Sequence, residues 1–378
     1  MRFKTLSDVN FKGKRVLVRS DLNSPISDNG VVLNDRIIES AKTISELKRK
    51  GAKVVVLAHQ GQKGRADFVS LQGHVKLLNK FVKIKFVKDI FGERALEEID
   101  NLKSGDALLL ENVRFSEEEF KPDRSKIVRV LKHKFDYYVN DSFSVCHREH
   151  ASIVGFPRVL PSLIGRTMEK ELKNLDKIKG KGILFILGGN KIEDVTLLIK
   201  EKNILSTGVF SLVCLIAGGK NLGRESERLE EEKEYLEKIK RNLKNISLPV
   251  DLAVEVDGKR KEIKLSELPV NHRILDIGSE TIANYEEKIM KARKIFWKGT
   301  AGDCSKEGFC EGTERLLKAM EKSPAFCVVA GGHSASAVKR FGIDKKKLGY
   351  VSLSGGALVY YISGRKLYGL EALEKWKR

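Results

Sequence analysis

The chain has 378 residues, of which 71 are Lys or Arg and 51 are Asp or Glu, a formal charge of +20. A single core rarely grows past about 250–300 residues, so this length predicts two or three domains. A hydrophobic fraction of 41% with charges of both signs excludes disorder for the chain as a whole. The basic excess admits three readings: nucleic acid, small anionic ligands, or a heat-adapted surface rich in Lys and Glu. Aromatic residues are only 7%, and no basic cluster is interleaved with them as base-stacking platforms require, which argues against a nucleic-acid partner. Cys146, Cys214, Cys304, Cys310 and Cys327 are odd in number, form no CxxC and have no histidine at zinc spacing. They predict a reduced, cytoplasmic setting, with Cys304 and Cys310 as ordinary thiols in a loop. The N-terminal stretch MRFKTLSDVNFKGKRV has no apolar signal core, and the longest apolar runs, 183–187 and 208–217, are far short of a bilayer span. A soluble protein without a membrane partner is expected.

In chain order, Lys14–Arg19 reads as a strand. Asp35–Lys50 reads as a helix, with Ile37, Ile38, Ala41, Ile44 and Leu47 near a 3.6 period, Asn34 as its cap and Gly51 at its end. Strands follow at Val54–Ala58, Lys83–Val87, Ala107–Glu111 and Phe135–Asn140, with a helix over Ser70–Val82. This alternation predicts an α/β fold with a parallel sheet covered on both faces. Pro157 and Pro161 punctuate the middle of the chain, and Ser162–Leu175 then reads as a helix containing MEKEL.

The rhythm repeats in the second half. Strands are expected at Ile183–Leu187, Leu252–Val256, Lys294–Trp297, Phe326–Ala330 and Gly349–Leu353. Helices are expected at Lys191–Lys200, Ile282–Lys291, Gly312–Lys322, Ser334–Phe341 and Gly355–Ser363, and Glu225–Lys244 reads as a solvated helix with opposite charges three and four apart. Trp297 ends a strand and reads as packing. No repeat period points to a solenoid. Two Rossmann-like lobes joined by a helix, with a cleft between them, are the expected architecture: 1–160, a linking helix at 161–176, and 177–362. Ligands in such folds sit at the carboxyl ends of strands.

Several basic or polar residues stand just there. Arg19, Asp21 and Asn23 follow the first strand, His59 the second, Arg114 follows ALLLEN, and His147 and Arg148 follow the strand ending at Asn140. Arg36 opens a helix, where a cation adds to the positive end of the dipole, so an anion is the natural reason for it. A lone Arg after a strand is commonly a solvated residue; several on one edge point to an anion site. In the second half, glycine pairs separate strands from helices at Gly188-Gly189, Gly331-Gly332 and Gly355-Gly356. Each would place backbone N–H groups at a helix start, which suits phosphate, though none is a Walker loop or a full GxGxxG, and each taken alone is also a plain turn. Lys191 follows the first pair as a point charge. A lobe for a small polyanion and a lobe for phosphates suggest phosphoryl transfer; no carboxylate pair or nucleophilic triad supports hydrolysis.

Residues 16–25 (VLVRSDLNSP), 34–44 (NDRIIESAKTI), 108–115 (LLLENVRF), 138–157 (YVNDSFSVCHREHASIVGFP) and 161–172 (PSLIGRTMEKEL) resemble the phosphoglycerate kinase family. AHQ at 58–60, TGVFSLVCLIAGGKNLG at 207–223, LPVDLAVEVDG at 248–258, DIGSETI at 276–282 and GGH at 331–333 look like its archaeal branch. The resemblance implies a hinge-bending enzyme that transfers phosphate between 1,3-bisphosphoglycerate and ADP with magnesium (Mg2+), giving 3-phosphoglycerate and ATP, with residues 363–378 packing back on the first lobe. It implies Asp21 and Asn23 as hydrogen-bonding partners of the glycerate, and His59, Arg114, His147 and Arg148 as partners of its phosphate and carboxylate. Arg36 would stabilise the transferring group, Lys191 would neutralise nucleotide phosphates, and amides near Gly332 and Gly355 would support the equatorial oxygens. Nucleotide contacts are implied at Gly188, Gly189, Lys191, Gly208, Lys298, Gly299, Ser305, Glu307, Gly331, Gly332, His333 and Ser334. No metal ligand is implied in the chain itself, and a monomer or small homo-oligomer is expected.

The chain departs from the family pattern mostly on the nucleotide side. GGAK is GGNK here, with Asn190 for alanine. The loop NGP…GVFE reads Lys298-Gly299-Thr300 and Gly302-Asp303-Cys304-Ser305, with Ser305 at the place of the ribose-gripping glutamate and Glu307 two residues on. HxGR becomes His59-Gln60-Gly61-Gln62, with Lys63 or Arg65 as the replacement cation. Losing the ribose carboxylate removes a charge-assisted hydrogen bond worth ~1.5–3 kcal/mol. The alternative reading is a paralogue with lost or altered nucleotide use that acts as a glycerate-phosphate binding or regulatory protein.

Overall fold

A computed structural model describes residues 3–376. The chain divides into two compact units: one runs to Lys173 and includes the residues from Lys366 onward, the other covers Asn174–Arg365. The division falls inside the helix Arg166–Ile178.

The first unit is built on six parallel strands in the order Lys85–Val87, Ala107–Leu110, Lys53–Leu57, Arg15–Arg19, Tyr137–Asn140, Ser162–Ile164. Strands buried on both faces need apolar side chains in both directions, which is why KVVVL and ALLL are continuous apolar runs. In Arg15–Arg19 the pleat sends Val16 and Val18 into one core and Leu17 into the other. The first core is covered by the helix Asp35–Arg49 through Ile37, Ala41, Ile44 and Leu47. Asn34 caps that helix by accepting from Arg36 N (3.1 Å) and Ile37 N (3.2 Å). The second core packs Ala95, Ile99, Ile127 and Leu131 beneath Tyr138 and Phe156.

The second unit repeats the plan with strands Ile246–Ser247, Ile204–Ser206, Ile183–Leu187, Lys294–Lys298, Phe326–Ala330 and Gly349–Ser352, again all parallel. Leu184, Ile186, Ile295, Trp297 and Val329 pack on Ile282, Leu316 and Leu317. A separate antiparallel sheet places Asp251–Val256 between Lys259–Lys264 and Ile274–Ile277. The strand expected at Leu252–Val256 therefore exists but lies outside the parallel sheet.

Other differences from the sequence reading have local causes. Ser162–Leu175 is not one helix. Ser162–Ile164 is an edge strand and the helix begins at Arg166. Gly165 lies against the Asp141 side chain, and Asp141 Oδ1 accepts from Thr167 N at 2.8 Å and Met168 N at 3.3 Å, starting the helix there. Lys191–Lys200 yields only one helical turn, Ile192–Val195. Ser70–Val82 contracts to Gln72–Leu78. Glu225–Lys244 breaks into four pieces, Arg224–Arg228, Glu230–Glu232, Lys233–Lys240 and a last short turn at Leu243–Asn245. Its Glu225 is buried, held by Arg228 Nε (2.5 Å) and Arg273 Nε (2.7 Å), so the stretch is not a simple solvated helix. The helix Gly208–Ala217 is apolar nearly all round because it is buried, so it carries no amphipathic signal. No described helix is long and apolar enough to cross a membrane.

Candidate active site

Parallel strands bring all their carboxyl ends to one edge, so the segments after them meet even when far apart in sequence. On the first unit this edge collects Asp21, Asn23, His59, Arg114 and, on adjoining elements, Arg36, His147 and Arg148. Asp21 binds Arg36 through both oxygens (3.2 and 3.1 Å) and accepts from Ser144 Oγ at 2.6 Å. Asn23 Oδ1 accepts from Gly61 N at 2.8 Å, which ties the first strand's loop to the second's. Arg114 is buried and donates to Gly61 O at 2.6 Å. His147 is half-buried and Arg148 is exposed. Burial first, then the charges of Arg19 and Arg148, bring the Arg114 pKa down to about 10. Burial and the charges of Arg19, Arg114, Arg36 and His150 hold His59 well below the ordinary histidine range.

Three residues of this edge were not singled out as functional by the sequence. Gln60 is buried and fills its amide with contacts to Ser24 N (2.8 Å), Ser24 O (2.9 Å), Asp67 O (3.2 Å) and His74 Nε2 (3.0 Å). Asn112 donates to Gln60 O at 2.8 Å and Val69 O at 3.0 Å. Ser144 holds Asp21. Their only sequence signal is a polar residue directly after an apolar strand or inside a polar loop, which does not separate scaffold from ligand contact. Gln62 and Arg65 are exposed, and Lys63, a candidate to replace the family arginine, is paired with Glu117 at 2.7 Å on the surface.

The edge of the second unit is assembled differently. Gly188 N donates to Lys298 O (2.8 Å), Gly189 N to Thr300 O (3.0 Å), Gly208 N to Ala301 O (2.9 Å), Gly331 N to Ser352 O (3.1 Å) and Gly299 N to Ser334 Oγ (3.1 Å). The amides of the first glycine pair are thus engaged within the fold and do not form the expected phosphate cradle. The glycines serve close backbone approach instead. A Cβ on Gly299, at φ +84°, would strike the Gly188 carbonyl and lie 2.6 Å from Gly189 N. The first turn of Gly332–Arg340 retains the amides that helix geometry leaves for an anion. It stands beside the next turn, with a Cβ on Gly331 4.0 Å from Gly355 Cα. Lys191 and His333 are exposed, and Ser334 is buried. Lys298 is buried and paired with Asp194 at 2.9 Å.

The divergent loop departs most from expectation. Cys304 and Cys310 are joined in a disulfide and are not ordinary thiols; their Cα atoms lie 4.5 Å apart. Spacing could not show this, because only the folded loop brings the two together. The loop is also pinned by Asp303 N to Leu275 O (2.8 Å), Lys306 to Glu255 (2.6 Å), Arg260 to Gly308 O (3.2 Å) and Arg340 to Cys304 O (2.6 Å). Ser305 Oγ donates to Asp303 Oδ1 at 2.6 Å, and Ser305 and Glu307 are exposed. Cys146, Cys214 and Cys327 stay as buried thiols. Burial pushes Cys146 and Cys327 up to about 12.

Among the described residues no group of three His, Cys, Asp or Glu side chains forms a metal cage. Magnesium keeps several waters and is commonly held by one or two carboxylates plus substrate phosphates. Asp194, paired with Lys298 and three residues from Lys191, is a carboxylate that fits an ion arriving with a nucleotide.

Two parallel α/β units, one edged with guanidinium groups and the other with glycine turns and lysines, define a phosphate-handling transferase. The phosphoglycerate kinase family profile matches residues 6–365. A curated phosphoglycerate kinase of Methanothermus fervidus is 41% identical, covering 100% of this chain and 98% of the relative. That of Archaeoglobus fulgidus is 37% identical, covering 98% and 96%. The crystal structure of phosphoglycerate kinase from Pyrococcus horikoshii superposes with a TM-score of 0.90 at 35% identity, covering 98% of each chain. The Coxiella burnetii enzyme gives 0.81 at 27% identity, covering 100% of each. The chain belongs to the phosphoglycerate kinase family. It is a phosphotransferase with a carboxyl group as acceptor, uses a nucleotide, and acts on small molecules.

Proposed function

We propose that the sheet edge of the first unit binds 3-phosphoglycerate and that of the second binds ATP or ADP. A carboxylate oxygen of the glycerate forms a bond to the γ-phosphorus of ATP as the bond from phosphorus to the ADP oxygen breaks. The reverse step regenerates ATP from 1,3-bisphosphoglycerate. The nucleophile is already an anion, so no general base is needed, and catalysis rests on positioning and charge neutralisation.

The observation that carries this reading is the crowding of Arg19, Arg36 and Arg114 around an uncharged His59, with Arg148 in turn acting on Arg114 and Arg114 at about 10. An anion relieves that repulsion. Asp21 and Asn23 hydrogen-bond the glycerate hydroxyl region, and His59, Arg114, His147 and Arg148 take its phosphate and carboxylate. Arg36, now held by Asp21, turns its charge to the group in transfer. Lys191 neutralises nucleotide phosphates, Lys298 adds a second cation, and the first-turn amides at Gly332, His333 and Ser334 with those near Gly355 receive the equatorial oxygens. Magnesium, bound with the nucleotide, would be held by Asp194 and would supply further neutralisation of the phosphates. Ser305 and Glu307 meet the ribose. The family's glycolytic role supports a cytoplasmic setting, as a monomer or small homo-oligomer.

A coupled assay tests this. The wild type should turn over, and Lys191→Ala should lower kcat by roughly 10²-fold or more, as when one charge-stabilising group is removed. Equal, slow rates for both proteins with every nucleoside diphosphate would sink the reading. A donor screen in the same assay reports whether the Ser305 loop has changed nucleotide choice.

A further inference from the structure

Arg19 ends a central strand and is wholly buried, so its guanidinium presents no surface to a ligand. It donates Nε–H to Ser152 Oγ (2.8 Å) and Nη1–H to Ser20 O (2.6 Å), and its Nη2 lies 3.2 Å from His59 Nδ1. Ser152 Oγ donates onward to Glu119 Oε1 (2.6 Å), and Ser152 N donates to Glu119 Oε2 (2.9 Å). Tyr138 Oη donates to Ser152 O at 2.7 Å. Three directed contacts leave the guanidinium no freedom to turn.

We propose that Arg19 is a positioning residue of the phosphoglycerate site, fixing His59 as the neutral tautomer with its proton on Nε2. His59 then meets the substrate as a hydrogen-bond donor and adds no charge.

Arginine has five donors and no acceptor. At the Arg19–His59 contact Nη2–H must therefore donate and Nδ1 must accept, which forces the single ring proton onto Nε2. An imidazolium would set N–H against N–H there. The charged and titratable groups acting on His59 are Arg19 from its strand, Arg36 from the helix Asp35–Arg49, Arg114 from the turn Val113–Phe115, and His150; the cations all disfavour a further positive charge. Glu119, buried behind Ser152, offsets Arg19 without touching the imidazole. A neutral N–H donor lets the site accept phosphate or carboxylate without its affinity depending on histidine protonation.

The substrate half of this proposal rests on the reading that the first unit holds 3-phosphoglycerate; the tautomer does not. Long-range 1H–15N correlation spectra of the full chain, labelled at histidine and assigned by difference with His59→Gln, read both. The expected spectrum has Nδ1 unprotonated and Nε2 protonated from about pH 5.5 to 8, with Nε2 shifting on addition of 3-phosphoglycerate. A proton on Nδ1, or titration of His59 to the imidazolium within that range, overturns the role of Arg19. A fixed tautomer with no shift at saturating 3-phosphoglycerate instead removes His59 from the substrate site. Arg19→Met should release the tautomer and raise KM for 3-phosphoglycerate about tenfold, the scale of one lost hydrogen bond, with KM for nucleotide unchanged. Arg19→Lys should fall between. A folded Arg19→Met with wild-type tautomer and KM also overturns the proposal, and the wild-type spectrum decides the tautomer if that variant fails to fold.

Discussion

The two sheet edges reach a similar end by different means. The edge of the first unit is made of side chains: charged and polar groups from five separate segments, held by bonds such as Asp21–Arg36 and Asn23–Gly61. The edge of the second is largely backbone. Its glycines let the loops after neighbouring strands lie against each other, and their amides are mostly consumed in doing so. A site of side chains can lose a member and keep its frame. A site of packed loops loses its frame when one glycine gains a Cβ.

That contrast can be broken in order of expected effect. Gly299→Ala, forced into φ +84° against the Gly188 carbonyl, should damage the second unit most. A loss of roughly 1–3 kcal/mol in stability is expected for a strained left-handed residue, together with a raised KM for nucleotide and an unchanged KM for 3-phosphoglycerate. An unaltered melting temperature would show that the loops give way freely. Arg114→Met is the counterpart on the first unit. Removing a charged hydrogen-bonding partner worth ~1.5–3 kcal/mol should raise KM for 3-phosphoglycerate about 10- to 100-fold, leaving nucleotide KM alone.

Asp141 gives a pH test. Burial raises its carboxyl to about 7, above the 3.8 of an exposed aspartate, despite hydrogen bonds from Thr167 and Met168. A raised carboxyl pKa means the folded state binds more protons. Its contribution is fully present below about pH 4 and is lost as pH rises through 7, at up to ~1.4 kcal/mol per pH unit. Asp141→Asn should flatten the dependence of melting temperature on pH between 4 and 7; an unchanged slope would place the raised pKa elsewhere. The smallest effect is expected from replacing Cys304 and Cys310 together by serine. Four other contacts hold the loop, so nucleotide KM should rise only about two- to fivefold, under 1 kcal/mol, with glycerate KM unmoved.

Much of this was legible beforehand. The α/β class, most strands within a residue or two, and the convergence of Asp21, Asn23, His59 and Arg114 on one edge follow from apolar runs alternating with amphipathic helices, because parallel strands put their carboxyl ends together. The short-range pattern also explains its failures. Gly208–Ala217 gave no amphipathic stripe because it is apolar and buried nearly all round, and Ser162–Ile164 joined a sheet its helical periodicity concealed. The glycine pairs announced tight turns without saying whether a phosphate or another loop lies against them.

The sequence by itself determined most of the central strands and which cations would stand near their ends, since both depend on neighbours along the chain. Only the tertiary structure decided what each cation does. Arg19 shares the pleat face of Leu17 and turns into the protein toward Ser152, whereas Arg148 reaches solvent. His59 is a donor and not a cation because a guanidinium from another strand faces its Nδ1. Cys304 meets Cys310 because the loop between them is folded back and pinned. A partner's direction and distance set a protonation state or a bond, and those are fixed only when segments distant in the chain are packed side by side.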